Sequence, residues 1–209
     1  MGTWLVGWGL GLSVAAPIGP INVVTLQLGL SNGFARAFAF GLGAATIDAV
    51  YCLAVYLGIA PLLVAAPWLR VLLYLVGAIM IGRMGWSAIR RRIDLASSPN
   101  RESGGLWRSY ASGIMLTAVN PATILSWLAI GGAVLSAGSA DEGLAWVIGI
   151  FAGSASWFTA LALGASLGRR VANDRVLKVV SVVCGLALFG FAAVFGSNGL
   201  SEGLALIRG

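Results

Sequence analysis

Six apolar stretches follow one another along this chain, at residues 4–30, 36–59, 68–89, 110–135, 144–167 and 176–195. A helix rises 1.5 Å per residue, so about 20 residues cross the roughly 30 Å of hydrocarbon in a bilayer. Each stretch meets that length or comes close to it. Only 10% of the 209 residues are charged and 59% are hydrophobic, whereas a soluble domain carries about 25% charged residues. The expected fold is all-α and integral to the membrane, with six spans in a single transmembrane domain over residues 1–209. No Lys or Arg precedes the first stretch, and it is too long for the apolar core of a signal peptide. It is read as a retained first span.

Charge sets the expected orientation. The chain has 13 Lys and Arg against 7 Asp and Glu. Between the third and fourth stretches lie Arg90, Arg91, Arg92, Asp94, Arg101, Glu102 and Arg108, a net of +3. Between the fifth and sixth lie Arg169, Arg170, Asp174, Arg175 and Lys178, again +3, and Arg36 follows the first stretch. These loops share one face of a six-span chain. The positive-inside rule makes that face cytoplasmic and both termini extracytoplasmic, in a multi-pass cytoplasmic-membrane protein. Basic residues clustered between the apolar stretches, against Arg70, Asp141, Glu142, Glu202 and Arg208 on the opposite face, point to the lipid bilayer as partner and not to nucleic acid. Trp4, Trp8, Trp68, Trp86, Trp107 and Trp146 lie near stretch ends, where an amphipathic ring prefers the interface. Trp127 and Trp157 fall toward mid-span, where core packing is the ordinary expectation.

The first stretch contains Ala15-Ala16-Pro17-Ile18-Gly19-Pro20-Ile21-Asn22. A proline inside a helix lacks the N–H and clashes with the preceding turn, at about 3 kcal/mol. A membrane helix tolerates such a break where the freed backbone is buried in protein or lines a cavity. Asn120-Pro121 interrupts the fourth stretch in the same way. Three spans on each side of the joint at residues 97–105 suggest two repeats, 1–96 and 110–209, joined by a cytoplasmic loop at 90–109. An offset of 104 aligns Gly9, Leu12, Ser13 and Pro17 with Gly113, Leu116, Thr117 and Pro121. An offset of 108 aligns Gly41, Ala45, Thr46 and Asp48 with Gly149, Gly153, Ser154 and Ser156. A unit with an odd number of spans has its copy inverted. Paired interruptions at corresponding positions are the best sequence pointer to a transporter's midplane site.

A broken helix presents donors at one new end and carbonyls at the other. The donor end suits a carboxylate and the carbonyl end an ammonium. The candidate site therefore comprises Pro17, Gly19, Pro20, Asn22, Asn120 and Pro121. Thr117 joins it from a polar stripe with Asn120, Thr123 and Ser126 that ends beside Trp127. The plainer role for such hydroxyls is bonding between helices. Asp48 is the one acid deep inside a stretch. A charged Asp there costs about 2.5–3.5 kcal/mol on the insertion scale, so it must be paired, solvated or protonated. It is the candidate for proton or ion coupling or for holding an ammonium, with Arg83 as a possible structural partner. Gly7-x-x-x-Gly11, Gly149-x-x-x-Gly153 and Gly164-x-x-x-Gly168 read as points of close helix approach.

Other function classes are poorly served. There are no histidines, and Cys52 and Cys184 lie far apart within spans. That gives poor ligation for a soft metal, no cofactor motif and no metal site. No nucleophile–base pair suggests an enzyme. A cation or metal efflux carrier and a non-transporting assembly subunit are the alternative readings, and the paired breaks disfavour the second.

Pro17-Ile18-Gly19-Pro20-Ile21-Asn22, then Gly33 with Arg36, then Gly41-Leu42-Gly43-Ala44-Ala45-Thr46-Ile47-Asp48, and finally Asn120-Pro121 resemble the LysE/RhtB family of amino-acid exporters. The resemblance spans nearly the whole chain. It implies a six-span carrier, with a homodimer among its assemblies. It also implies export of amino acids or their derivatives by alternating access, driven by the proton or the membrane potential. The family often has a Lys after the Asn-Pro, where this chain has Ala122. A carboxylate or counter-ion bound by that Lys in relatives must be held otherwise here, or the substrate differs.

Overall fold

The computed structural model describes residues 2–17, 19–58, 67–90, 105–120, 122–124, 126–127, 143–171 and 174–208. Among them the secondary structure is helical, with no strand. The long helices are α1 (Gly2–Ala15), α2 (Pro20–Asn32), α3 (Phe34–Tyr56), α4 (Pro67–Arg90), α5 (Leu106–Ala118), α6 (Gly143–Val171) and α7 (Asp174–Arg208).

The first apolar stretch is two helices, bent by 82°. At 14 and 13 residues, each is about 20 Å long and too short to cross hydrocarbon alone. The restart follows from local chemistry. Gly19 stands extended at the N-cap, and Pro20 occupies the first turn, where its missing N–H costs nothing. At the other end, Gly33 takes φ 85°, a left-handed conformation that only glycine adopts freely, and turns the chain into α3. Nine of the thirteen residues of α2 are buried. A helix buried on every side belongs at the centre of a bundle, and α2 packs on α3, α6 and α7.

Three of the described helices are long and apolar enough to cross a membrane: Phe34–Tyr56, Gly143–Arg169 and Lys178–Leu206. The bent pair makes a fourth if it counts as one span. In α4 the apolar segment is shorter, Val71–Ser87; α5 stops at Ala118, next to the expected break at Asn120, residues 122–124 and 126–127 are helical again, and the expected end at residue 135 lies outside the described residues. The last helix outruns its expected end at Phe195 and reaches Arg208. Gly and Ser residues beyond Phe195 stay helical through contacts with α4 and hydrogen bonds within the helix. Gly199 lies against Tyr74 and Leu75 of α4, and Gly203 against Val71. Ser197 and Ser201 donate back to the carbonyls of Val194 and Asn198, both at 2.9 Å.

Glycines fix the closest helix approaches. On α1 and α6, Gly11 faces the Ile150 carbonyl and Gly153 faces the Trp8 carbonyl. On α5 and α3, Gly113 faces the Phe40 carbonyl and Gly43 faces the Tyr110 carbonyl. A side chain at any of these four would collide with backbone. Helices α4 and α7 meet through Gly85 and Gly185, each against the other's carbonyl. Gly7 and Gly149 also sit at the α1–α6 contact, as their spacing suggests. Gly164 does not: it is exposed and has no neighbour within 4 Å.

Candidate functional site

Both proline interruptions border one cavity of about 200 Å³. Pro17, Gly19, Pro20 and Asn22 line it from the first break, Thr117 and Asn120 from the second, and Asp48 from α3. Trp127 stands behind Asp48 and off the cavity wall. Pro121 lies outside the described residues. The sequence-derived candidates are thus drawn from three separate helices to one place.

Asp48 is buried, and each carboxylate oxygen accepts one hydrogen bond. The Trp127 Nε1–H donates to Oδ1 at 3.2 Å, and the Ser154 hydroxyl lies 2.9 Å from Oδ2. Both partners are neutral. A carboxylate offers about four acceptor sites, so capacity remains on the cavity side. Ser154 also sits 3.2 Å from the Gly11 carbonyl and links α6 to both α1 and α3. Arg83, the expected candidate partner for Asp48, is exposed and lines a different concavity with Trp86, Ser87 and Arg90.

Asn22 is the brace of the first break. Its Nδ2 donates to the Ala15 carbonyl at 2.9 Å and to the Pro17 carbonyl at 2.6 Å. Its Oδ1 accepts from the Trp157 Nε1–H at 2.9 Å. Both amide protons are therefore spent on the freed carbonyls of α1. At the second break, the Tyr51 hydroxyl donates to the Ala118 carbonyl at 2.7 Å. Carbonyls expected to face a ligand at the two breaks are thus already engaged by side chains.

The donor ends differ between the breaks. Asn120 caps its own helical turn: its Oδ1 accepts from the Ala122 N–H at 3.2 Å, and its carbonyl accepts from the Ile124 N–H at 3.2 Å. Its Nδ2 donates to Thr123 Oγ1 at 2.9 Å. Gly19 accepts the first backbone bond of α2, from Val23 at 3.1 Å, but has no side chain to cap the next donors. The N–H groups of Ile21 and Asn22 have no partner within the helix, and both residues line the cavity. The Thr117 hydroxyl is also buried there and has no hydrogen-bond partner among the described residues.

Several participants escaped the sequence reading. Ser154 follows a close-packing glycine, and Tyr51 lies one turn beyond Asp48 on the same face. Trp157 looked like core packing. Phe158, Phe191 and Phe195 form an apolar wall, with Phe195 set edge-on to Tyr74 at 5.9 Å. A phenylalanine in an apolar helix carries no signal of its own.

The chain is similar to known proteins along most of its length. A putative amino acid efflux protein, YcgF of Bacillus subtilis (strain 168), is 33% identical over 200 residues, covering 92% of this chain and 94% of that protein. The arginine exporter protein ArgO of Salmonella typhimurium (strain LT2) is 26% identical over 208 residues, 97% of each chain. No solved structure matches significantly. The LysE type translocator family matches residues 12–199. With the family covering most of its length and its relatives being transporters, the chain belongs to the LysE type translocators and is a multi-pass membrane transport protein, not an enzyme.

Proposed function

We propose that this protein exports amino acids or small amino-acid derivatives from the cytoplasm, binding them in the cavity between the two helix breaks. The observation that carries the reading is Asp48, an acid with neutral hydrogen-bond partners that borders a cavity inside the bundle. A desolvated carboxylate there favours a cationic ligand strongly. The substrate ammonium binds Asp48, and its carboxylate meets the Ile21 and Asn22 N–H groups and the dipole of the α2 N-terminus. Thr117 supplies the hydroxyl between them. The Phe158, Phe191 and Phe195 wall takes the side chain. It suits a neutral amino acid better than a basic one, since Asp48 is the sole acid among the lining residues.

Pro17, Gly19, Pro20 and Asn120 shape this site. Asn22 acts through the break that it braces, and Trp127 through Asp48. Amino group and proton compete for the Asp48 carboxylate, which couples export to the proton or the membrane potential.

Alternating access follows from a two-repeat, six-span architecture, with both termini outside and residues 90–109 in the cytoplasm. Reciprocal contacts support the repeat. Offsets of 102 and 110 exchange the Gly11–Ile150 and Gly153–Trp8 approaches with Gly113–Phe40 and Gly43–Tyr110. The same offsets exchange two hydrogen bonds: Thr46 with Tyr110 at 3.1 Å, and Ser156 with Trp8 at 3.3 Å. That register departs by two residues from the alignment on Pro17 and Pro121, and it makes Gly19 and Asn120 near-equivalents. Metabolite profiling under amino-acid or dipeptide load tests the function. Deletion should raise, and overexpression lower, the intracellular pool of at least one amino acid. Unchanged pools in both strains would overturn the proposal.

A further inference from the structure

One face of α4 has no role in the transport site. Its inner face packs on α7 through Tyr74, Gly77, Ile81 and Gly85. On the opposite side Trp68, Leu72, Ile79, Arg83, Trp86 and Arg90 are exposed. At 100° per residue these six fall within about 60° of one another, as a single stripe. Trp68 and Trp86 are eighteen residues apart, about 27 Å along the axis. That is close to the roughly 30 Å of hydrocarbon, so the two indoles mark the two interfaces.

At the Trp86 end the stripe becomes cationic and concave. Arg83, Trp86, Ser87 and Arg90 line a hollow of about 580 Å³. The Arg90 guanidinium stacks on the Trp86 ring, 4.1 Å from its centroid, which orients it. Arg83 lies one turn deeper and Arg90 one turn shallower than Trp86. A long arginine at depth can snorkel toward the interface, which brings the Arg83 guanidinium within reach of the level of lipid phosphates beside Arg90. Arginine forks match phosphate oxygens two at a time, and Ser87 adds a hydroxyl.

We propose that this hollow binds the phosphate headgroup of an anionic phospholipid, whose acyl chains lie along Ile79 and Leu72. The apolar remainder of the stripe favours a lipid over a soluble phosphate, and two adjacent cations favour a lipid over a second copy of the chain. Two arginines at the surface give about thirty-fold preference for an anionic over a zwitterionic lipid.

The test uses the full protein in nanodiscs of phosphatidylcholine with or without phosphatidylglycerol, read by native mass spectrometry for retained lipid and by thermal unfolding. Phosphatidylglycerol should be retained preferentially and raise the unfolding temperature. Arg83→Gln/Arg90→Gln should lose both effects, while Arg83→Lys/Arg90→Lys keeps most of the enrichment and shows that the fold tolerates change there. Equal retention of the two lipids by the wild type, or undiminished phosphatidylglycerol enrichment in the Gln variant, would overturn the proposal. So would reproduction of the stabilisation by inorganic phosphate alone in phosphatidylcholine nanodiscs.

Discussion

Asp48 and Asn22 divide the work of the site at the residue scale. In the proposed site Asp48 supplies the acid that meets the ligand, and Asn22 braces the backbone that the break exposes. Removing one donor to a buried charge costs about 1.5–3 kcal/mol. Ser154→Ala or Trp127→Phe should therefore each cut transport about tenfold or more at unchanged protein level, measured as initial efflux rate. Wild-type rates in both would separate Asp48 from the transport step. For Asn22→Ala, the Ala15 and Pro17 carbonyls and the Trp157 indole lose their partner, and stability should fall by about 2–4 kcal/mol in thermal or denaturant unfolding. Asn22→Asp should fare no better, because the lost groups are the two amide donors. An Asp variant as stable as wild type would show that the brace is not needed.

Legibility at this scale followed chemical cost. Asp48, Pro17, Pro20 and Asn120 are expensive in a membrane helix, so each stood out in the sequence. Ser154, Tyr51 and Phe191 are cheap there. Their roles exist only through neighbours that the fold brings from more than 60 residues away, as with Tyr51 and Ala118.

At the scale of elements, close glycine contacts set where helices can sit. A glycine-to-leucine change at position 113 or 153 would drive a side chain into the Phe40 or Trp8 carbonyl. Each should destabilise by at least about 3 kcal/mol, the upper range for overpacking. Gly164→Leu, in open space, should stay within about 1 kcal/mol of wild type. Similar losses at all three positions would mean that helix propensity and not contact governs these sites. Periodicity and composition located most elements within a few residues. The end of α7 was hidden because the apolar run thins after Phe195 while packing of Gly199 and Gly203 against α4 carries the helix on, which no local pattern reveals. The 82° bend between α1 and α2 was legible as a break but not as an angle. Two prolines say only that the helix stops.

Over the whole molecule, the proposed architecture sets two repeats facing each other across one cavity. The proposed orientation, with both termini outside, has its own consequence. In a background without Cys52 and Cys184, Thr3→Cys should react with a membrane-impermeant thiol reagent in intact cells, and Ser98→Cys only after permeabilisation. The reverse pattern would invert the topology.

The most direct test is amino-acid counterflow in proteoliposomes, comparing wild type with Asp48→Asn reconstituted in equal amounts and preloaded with a mixture of neutral and basic amino acids. The account predicts exchange of at least one amino acid by the wild type and none by Asp48→Asn, with both proteins inserted and folded. Counterflow at the wild-type rate through Asp48→Asn would contradict it.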